Sequence, residues 1–198
     1  MRTNFSEINP ENIMKYIIAA VVLVTSLMGT RALAQQGAAT NAAAATSTTQ
    51  VTSTNKIKLT VIKVDSEETA TENGRGTNAV DGNPETFWHT EWTDANPECP
   101  HEIIIQLTPP STIKGFTYLP RQDEEVNGTI RNYESYVSDD GKDFGKPVKK
   151  GEFDGGKNKN TVKFDQPMKC GFIKLRALSE INDNAWSSAA EIGVVPAE

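Results

Sequence analysis

AVDGNPETFWHTEW, residues 79–92, is the stretch on which the reading of this chain turns. Its first half, Asp81-Gly82-Asn83-Pro84-Glu85-Thr86, is a tight polar loop able to aim several oxygens at one point. Its second half, Phe87-Trp88-His89-Thr90-Glu91-Trp92, sets three aromatic rings around a histidine. Gly82 and Pro84 would break any helix through it. The stretch therefore reads as an ordered loop on a β scaffold, and rigid scaffolds present binding groups on such loops.

Outward from this loop lie short β segments. In IKLTVIKV (57–64), Ile57, Leu59 and Val61 alternate with Lys58 and Thr60, the period-two pattern of a strand with one buried face. EIIIQL (102–107) is the continuous apolar run of a buried strand, and IKGFTYL (113–119), YESYVS (133–138), TVKF (161–164), GFIKLRAL (171–178) and AEIGVV (190–195) complete the set. Pro109-Pro110, Asn127-Gly128, Asp139-Asp140-Gly141 and Gly155-Gly156 supply turns between them. No segment sustains a 3.6-residue period. About seven or eight short strands with polar turns predict an all-β domain over residues 57–198, a β-sandwich or jelly roll. Its roughly 140 residues suffice for a core.

The N-terminal part reads differently. Tyr16–Met28 is an uncharged apolar run preceded by Lys15 and followed by Ala32-Leu33-Ala34, the plan of a signal peptide over residues 1–34 with the mature chain starting at Gln35. The run is short for a membrane span of about 20 residues, so no span is expected in the mature protein. The polar, partly acidic residues before Met14 suit an n-region poorly, which makes Met14 an alternative start. Residues 35–56, rich in Ala, Thr, Ser and Gln, bury too little to order themselves and read as a flexible linker. The expected location is periplasmic or secreted. With no second domain in its 198 residues, the chain is expected to act as a free-standing lectin-like protein or in association with another.

The formal net charge is −6. Cleavage after Ala34 removes Arg2, Lys15 and Arg31 against Glu7 and Glu11, one more basic than acidic group, and gives −7. Such a chain is a poor binder of nucleic-acid backbones. Catalytic signatures are lacking: there are two histidines, no G-x-S-x-G and no H-E-x-x-H. Acidic pairs such as Glu67-Glu68 and Asp139-Asp140 are adjacent in turns rather than opposed as in a glycosidase. Cys99 and Cys170 permit a disulfide in an exported chain. Each precedes a strand, EIIIQL and GFIKLRAL. Antiparallel neighbours would put those starts at opposite ends and forbid the bond; a parallel pair or curled loops would allow it.

The segments SEETATENGRGTNAVDGNPETFWHTEW, PHEIIIQL, IKGFTYLPRQD, NGTIRNYESYVSDDGKDFG, FIKLRALSEIN and WSSAAEIGVV occur in this order. Together they resemble the discoidin family, the coagulation factor C-type domains, and most of all its bacterial branch, the family 32 carbohydrate-binding modules. The resemblance spans roughly residues 57–196. It implies a galactose-binding-like jelly roll, a structural calcium ion and a shallow sugar site on the loops. Calcium takes six to eight oxygens. Asp81 offers a carboxylate, Thr86 a hydroxyl and a carbonyl, and Asn78 and Asn83 backbone carbonyls, while the family pattern adds Ala190 and Glu191. Without the resemblance the same loop reads as a plain turn.

For the sugar, the resemblance implies contacts from His89, Trp92, Arg121 and Asn127, a stacking platform from Trp186, and an acidic contact from Glu68. The chain departs from the pattern after Arg121, where QDEEVNG brings Glu124 and Glu125. Each residue also has a plainer reading. Phe87 and Trp88 suit the core, Trp92 a cap on the sandwich, His89 a satisfied structural role, and Arg121 a surface pair with Asp123 or Glu125. His101 receives no role, and Lys149-Lys150 read as a solvated face. The expected function is thus a non-catalytic module binding glycans of galactose type: galactose, N-acetylgalactosamine or terminal galactosides. The alternatives are an adhesion domain for protein or phospholipid surfaces and, less favoured, a sugar-processing enzyme. The oligomeric state stays open.

Overall fold

The computed structural model describes residues 56–197. The targeting segment, and all of the linker except Lys56, lie outside them. Eight strands follow in order: β1 (Lys58–Val64), β2 (Trp88–His89), β3 (His101–Leu119), β4 (Asn132–Ser138), β5 (Lys149–Glu152), β6 (Asn160–Ala177), β7 (Ser188–Ala189) and β8 (Glu191–Pro196). A 3₁₀ turn, Gly76–Val80, precedes the loop at Asp81. Among the described residues no helix is long and apolar enough to cross a membrane.

β3 and β6 form one long antiparallel ribbon, from His101 opposite Ala177 to Tyr118 opposite Asn160. The first half of β3 pairs with β1 on its other edge, and the second half with β8. The C-terminal half of β6 continues into β4, which pairs with β5. The ribbon is therefore shared between the layers of an all-β jelly-roll sandwich, the fold class expected from the segments.

Two details differ from the sequence reading. EIIIQL and IKGFTYL are one strand, and so are TVKF and GFIKLRAL. Pro109 and Pro110 fall where the β3–β6 register shifts between Gln106 and Ser111. A bulge needs no ladder bond there, so the missing proline N–H groups cost nothing and the strand runs through. β2, β5 and β7 were not expected as strands; β5 is KKGE with almost no buried residue, and shows no alternation to read.

Burial explains the ribbon's sequence. Ile103, Ile105 and Leu107 from one half, and Ile113, Phe116 and Tyr118 from the other, are almost wholly buried with Ile173, Leu175 and Ile192. Each such side chain contributes about 1.5–3 kcal/mol on leaving water. Tyr133 stacks on Phe153 at 4.2 Å, Phe153 on Tyr118 at 4.4 Å, and Phe116 meets Tyr133 edge-on at 5.6 Å.

The same ladder decides the cysteines, and both thiols are free. Cys170 stands opposite Ser111, whereas Cys99 lies just before His101, whose partner is Ala177. About seven residues of strand, roughly 20 Å, separate those rungs, far beyond the reach of a disulfide. The antiparallel alternative holds, and the Cys99–Cys170 pairing does not form.

The two ends of the domain meet β3 beside its proline pair. Lys58 opens β1 opposite Thr108, Pro196 closes β8 opposite Ile113, and the Ala197 N–H reaches Thr112 O at 3.0 Å. At the far end of the same strand pairing, Leu119 faces Glu191.

Tyr118 carries the core into the loops. Its hydroxyl donates to Ser188 O at 3.0 Å and accepts the Ile130 N–H at 3.0 Å. Tyr118→Phe leaves a buried carbonyl and a buried amide without partners, and should cost about 1–3 kcal/mol. Urea unfolding should show this as a lower midpoint at unchanged slope. An unchanged midpoint would mean that water replaces the hydroxyl.

Candidate functional site

Two two-residue strands bring distant loops together. β2 pairs with β7, Trp88 opposite Ala189 and His89 opposite Ser188. Thr90 extends the pairing: its N–H reaches Ser187 O at 2.9 Å, and its Oγ1 accepts the Ser187 N–H at 3.0 Å. HTEW is thereby fastened to WSSA across 97 residues of sequence. Between them opens a cavity of about 260 Å³, lined by Glu72, His89, Trp92, Arg121, Glu125, Asn127 and Trp186. Five of the six residues expected to touch a sugar line it. Trp88 is core, with its indole N–H on Ser66 O at 2.9 Å.

The polar edges of the walls are fixed. Trp92 is 42% exposed and donates its indole N–H to Glu72 Oε1 at 3.1 Å; Trp186 donates to Asn96 Oδ1 at 2.6 Å. The Trp186 ring lies 6.3 Å from that of His89. His89 is 2% exposed, and its Nδ1 sits 2.7 Å from Thr90 O. A carbonyl only accepts, so Nδ1 carries the proton and Nε2 remains the ring's acceptor. Burial, more than any other influence, holds this imidazole below its usual pKa and keeps it neutral.

Arg121 is 6% exposed, with its guanidinium over the Phe87 ring at 4.2 Å. Its Nε donates to Asp123 Oδ1 at 2.7 Å and its NH2 to Asp123 Oδ2. The pairing with Asp123 and the place in the cavity wall thus coexist. The hydrogen bond from Arg121 holds the Asp123 carboxyl below the usual range. NH1 makes only a 3.4 Å bond to Asn127 O, which leaves donor capacity toward the cavity. Phe87 is half-buried, a support for Arg121 rather than a core residue.

Glu68 corrects the sequence reading. It does not line the cavity and is 0% exposed. Its Oε1 accepts the N–H groups of Ala70 and Thr71 at 2.7 and 3.1 Å, and its Oε2 those of Trp92 and Thr93 at 3.1 and 3.0 Å. Burial opposes its charge, but these donors hold it ionised and bring its pKa down to about 2. Glu68 thus bolts the 69–72 turn to the Trp92 loop, and so places Glu72, a cavity residue that the sequence reading missed. Nothing in the local sequence around Glu72 marks it.

His101, given no role from sequence, is wholly buried between two acceptors. Its Nδ1 lies 2.8 Å from Asp65 Oδ2 and its Nε2 2.7 Å from Ala185 O. Both nitrogens must donate, which demands the imidazolium. Burial alone would lower its pKa; the Asp65 hydrogen bond, the Ala185 carbonyl and the Asp65 charge outweigh that and raise it. The same hydrogen bond lowers the pKa of Asp65 against its own burial. Cys99 Sγ shares the Ala185 carbonyl at 3.7 Å, but burial pushes its thiol pKa up, and the protonated Nε2 is no base for it. The trio therefore locks the loop carrying Trp186 and does not form a nucleophile. A raised histidine pKa gives stability that is complete below the ordinary value of 6.5 and is lost as pH rises through the folded value. The thermal midpoint should fall from pH 6 toward pH 9, and His101→Gln should flatten that slope. An equally steep slope in the variant would assign the effect elsewhere.

At the other side of the His89 loop, Asp81 and Glu191 converge. Asp81 Oδ1 accepts the Asn83 N–H at 2.8 Å and Oδ2 the Thr86 hydroxyl at 2.7 Å. The Glu191 carboxyl meets Asp81 and the amides of Gly82 and Asn83, and its Oε1 is buried with no hydrogen-bond partner. Burial first, and then the charge of Asp81, raise its pKa. Two neighbouring carboxylates with an orphaned buried oxygen fit a hard cation. Among the described residues no three His, Cys, Asp or Glu side chains cluster, so a cation here would depend on these two acids plus neutral oxygens.

A family model, the F5/8 type C domain, matches residues 61–192. The chain belongs to that family. This F5/8 type C domain is 38% identical over 141 residues to a sialidase of Micromonospora viridifaciens, covering 71% of this chain and 22% of the sialidase. It is 36% identical over 121 residues to a galactose oxidase of Gibberella zeae, covering 60% of this chain and 18% of the oxidase. The chain thus spans about a fifth of the length of these curated relatives. Among solved structures it is similar to the module CpGH89CBM32-5 of Clostridium perfringens, in complex with GalNAc-β-1,3-galactose, at 33% identity and TM-score 0.63, covering 70% of this chain and 95% of the module. It is also similar to the family 32 module of C. perfringens NanJ in complex with galactose, at 26% identity and TM-score 0.58, covering 69% and 93%. This F5/8 type C domain is of the carbohydrate-binding-module type, as its segments implied.

Proposed function

We propose that the protein is a non-catalytic module that binds galactose-type sugars in the cavity between Trp92 and Trp186. The observation that carries this reading is the pairing there of two edge-anchored indoles with one free acceptor, His89 Nε2, and one free donor edge, Arg121 NH1. A galactose ring has an axial hydroxyl, so one face is apolar and can lie on Trp186 while adjacent hydroxyls meet His89 and Arg121. Similarity to modules solved with GalNAc-β-1,3-galactose and with galactose supports the same ligand class. A few hydrogen bonds of about 1 kcal/mol each and one stacked ring correspond to micromolar-to-millimolar dissociation constants. Titration calorimetry against galactose and glucose tests the reading. A preference for galactose is expected, and equal affinity for the two would overturn it.

The reading includes one structural calcium ion. Asp81 and Glu191 would supply carboxylates, and Thr86, Asn78, Asn83 and Ala190 neutral oxygens. The ion would supply charge neutralisation where the early loop meets the last strand.

A further inference from the structure

The cavity carries a charge imbalance that the reading above leaves unused. Glu72 and Glu125 line it on the acidic side, and Arg121 on the basic side. Arg121 already gives two nitrogens to Asp123, so its charge is matched before a ligand arrives. Lys157, behind the loop, places its ammonium on the carbonyl oxygens of Arg121 and Glu125 and does not line the cavity. Glu72 Oε1 takes a neutral indole N–H at 3.1 Å and stands 3.9 Å from His89 Nδ1, whose proton lies toward Thr90 O. Counted together, Glu72, Asp123 and Glu125 outnumber Arg121 and Lys157. The Glu72 charge is also held in place, since Glu68 fastens the preceding turn to the Trp92 loop.

We propose that Glu72 and Glu125 sort galactose-type sugars by charge, favouring rings that carry a free amine and turning away rings that carry a carboxylate. The inference rests on the galactoside reading of the cavity. A ligand carboxylate would give up water to meet the fixed carboxylate of Glu72 and the exposed one of Glu125 beside it, whereas an ammonium would gain Glu72 as a partner. Both glutamates remain in contact with solvent, so the effect is moderate and screened by salt.

The test compares galactose, galactosamine and galacturonate, which share one ring stereochemistry and differ in charge. Titration calorimetry of the full chain near pH 7, where most of the sugar amine is protonated, should rank galactosamine above galactose above galacturonate. Each step should be about fivefold, the scale of an exposed ion pair. High salt should compress the ranking. In the Glu72→Gln, Glu125→Gln double variant, the ratio between galactose and galacturonate should shrink to within about twofold. Wild-type binding of galacturonate as tight as that of galactose, or an unchanged ratio in the double variant, would overturn the inference alone. Binding of none of the three sugars would bring down the galactoside reading and the inference with it.

Discussion

Trp186→Ala should weaken galactose binding tenfold or more while moving the thermal midpoint by no more than a degree or two. The indole is a half-buried wall of the cavity, held by one hydrogen bond to Asn96 and packed near His89, so its loss removes a stacking face and little of the core. Arg121→Ala should weaken binding to a similar degree but should also lower stability, because the guanidinium is buried over Phe87 and satisfies Asp123. A fully exposed loop-tip arginine would be neutral to stability, whereas Arg121, only 6% exposed, should not be. Arg121→Lys separates the two contributions, since an ammonium restores charge without the planar fork. Calorimetry and melting curves on the three variants decide the matter. Wild-type affinity in both Trp186→Ala and Arg121→Lys would place the ligand elsewhere.

Chelation should produce the largest change in stability. If calcium holds Asp81 to Glu191, a hundredfold excess over its dissociation constant adds about 2.7 kcal/mol to the native state. For a domain of this size that corresponds to roughly 10 °C of thermal midpoint. Asp81→Asn and Glu191→Gln should each abolish the response to calcium. Glu191→Gln carries a further signature. It removes a half-buried negative charge beside Asp81, so the variant without calcium should melt no lower than the chelated wild type. A melting curve indifferent to excess chelator, together with no calcium by elemental analysis, would reduce the loop to a plain turn.

The strands were legible because their signals are local: alternation, as at Leu59 and Val61 of β1, or a continuous apolar run, as in Ile103-Ile104-Ile105 of β3. Their joining was not. Whether Pro109-Pro110 ends a strand or sits in a bulge depends on the register of β6, some sixty residues away, and no local pattern records it. The cavity was legible in the segments that carry the family resemblance, namely HTEW, PRQD, NG and W-S-S-A. The sugar contact expected of Glu68 rests on the family resemblance alone, and its position in SEET carries no sign of which partner the carboxylate takes. The competing demand was stronger: four backbone N–H groups in two adjoining loops needed acceptors, and a buried carboxylate satisfied them. Glu72 followed from that arrangement and so had no signature of its own. His101 was silent for the same reason, since its meaning lies in Ala185, 84 residues onward.

Both ends of the domain leave beside Thr108 and Ile113, whereas Arg121 follows Leu119 at the opposite end of the same strand pairing. Six residues of strand are roughly 20 Å. A reporter protein, a surface tether or a second copy can therefore be joined at either terminus of the folded region with the cavity still facing outward. Copies strung on flexible linkers could all present their cavities to one surface. If each cavity binds a sugar as proposed, weak single contacts would combine through effective concentration, and avidity could exceed the single-site affinity by roughly two to four orders of magnitude.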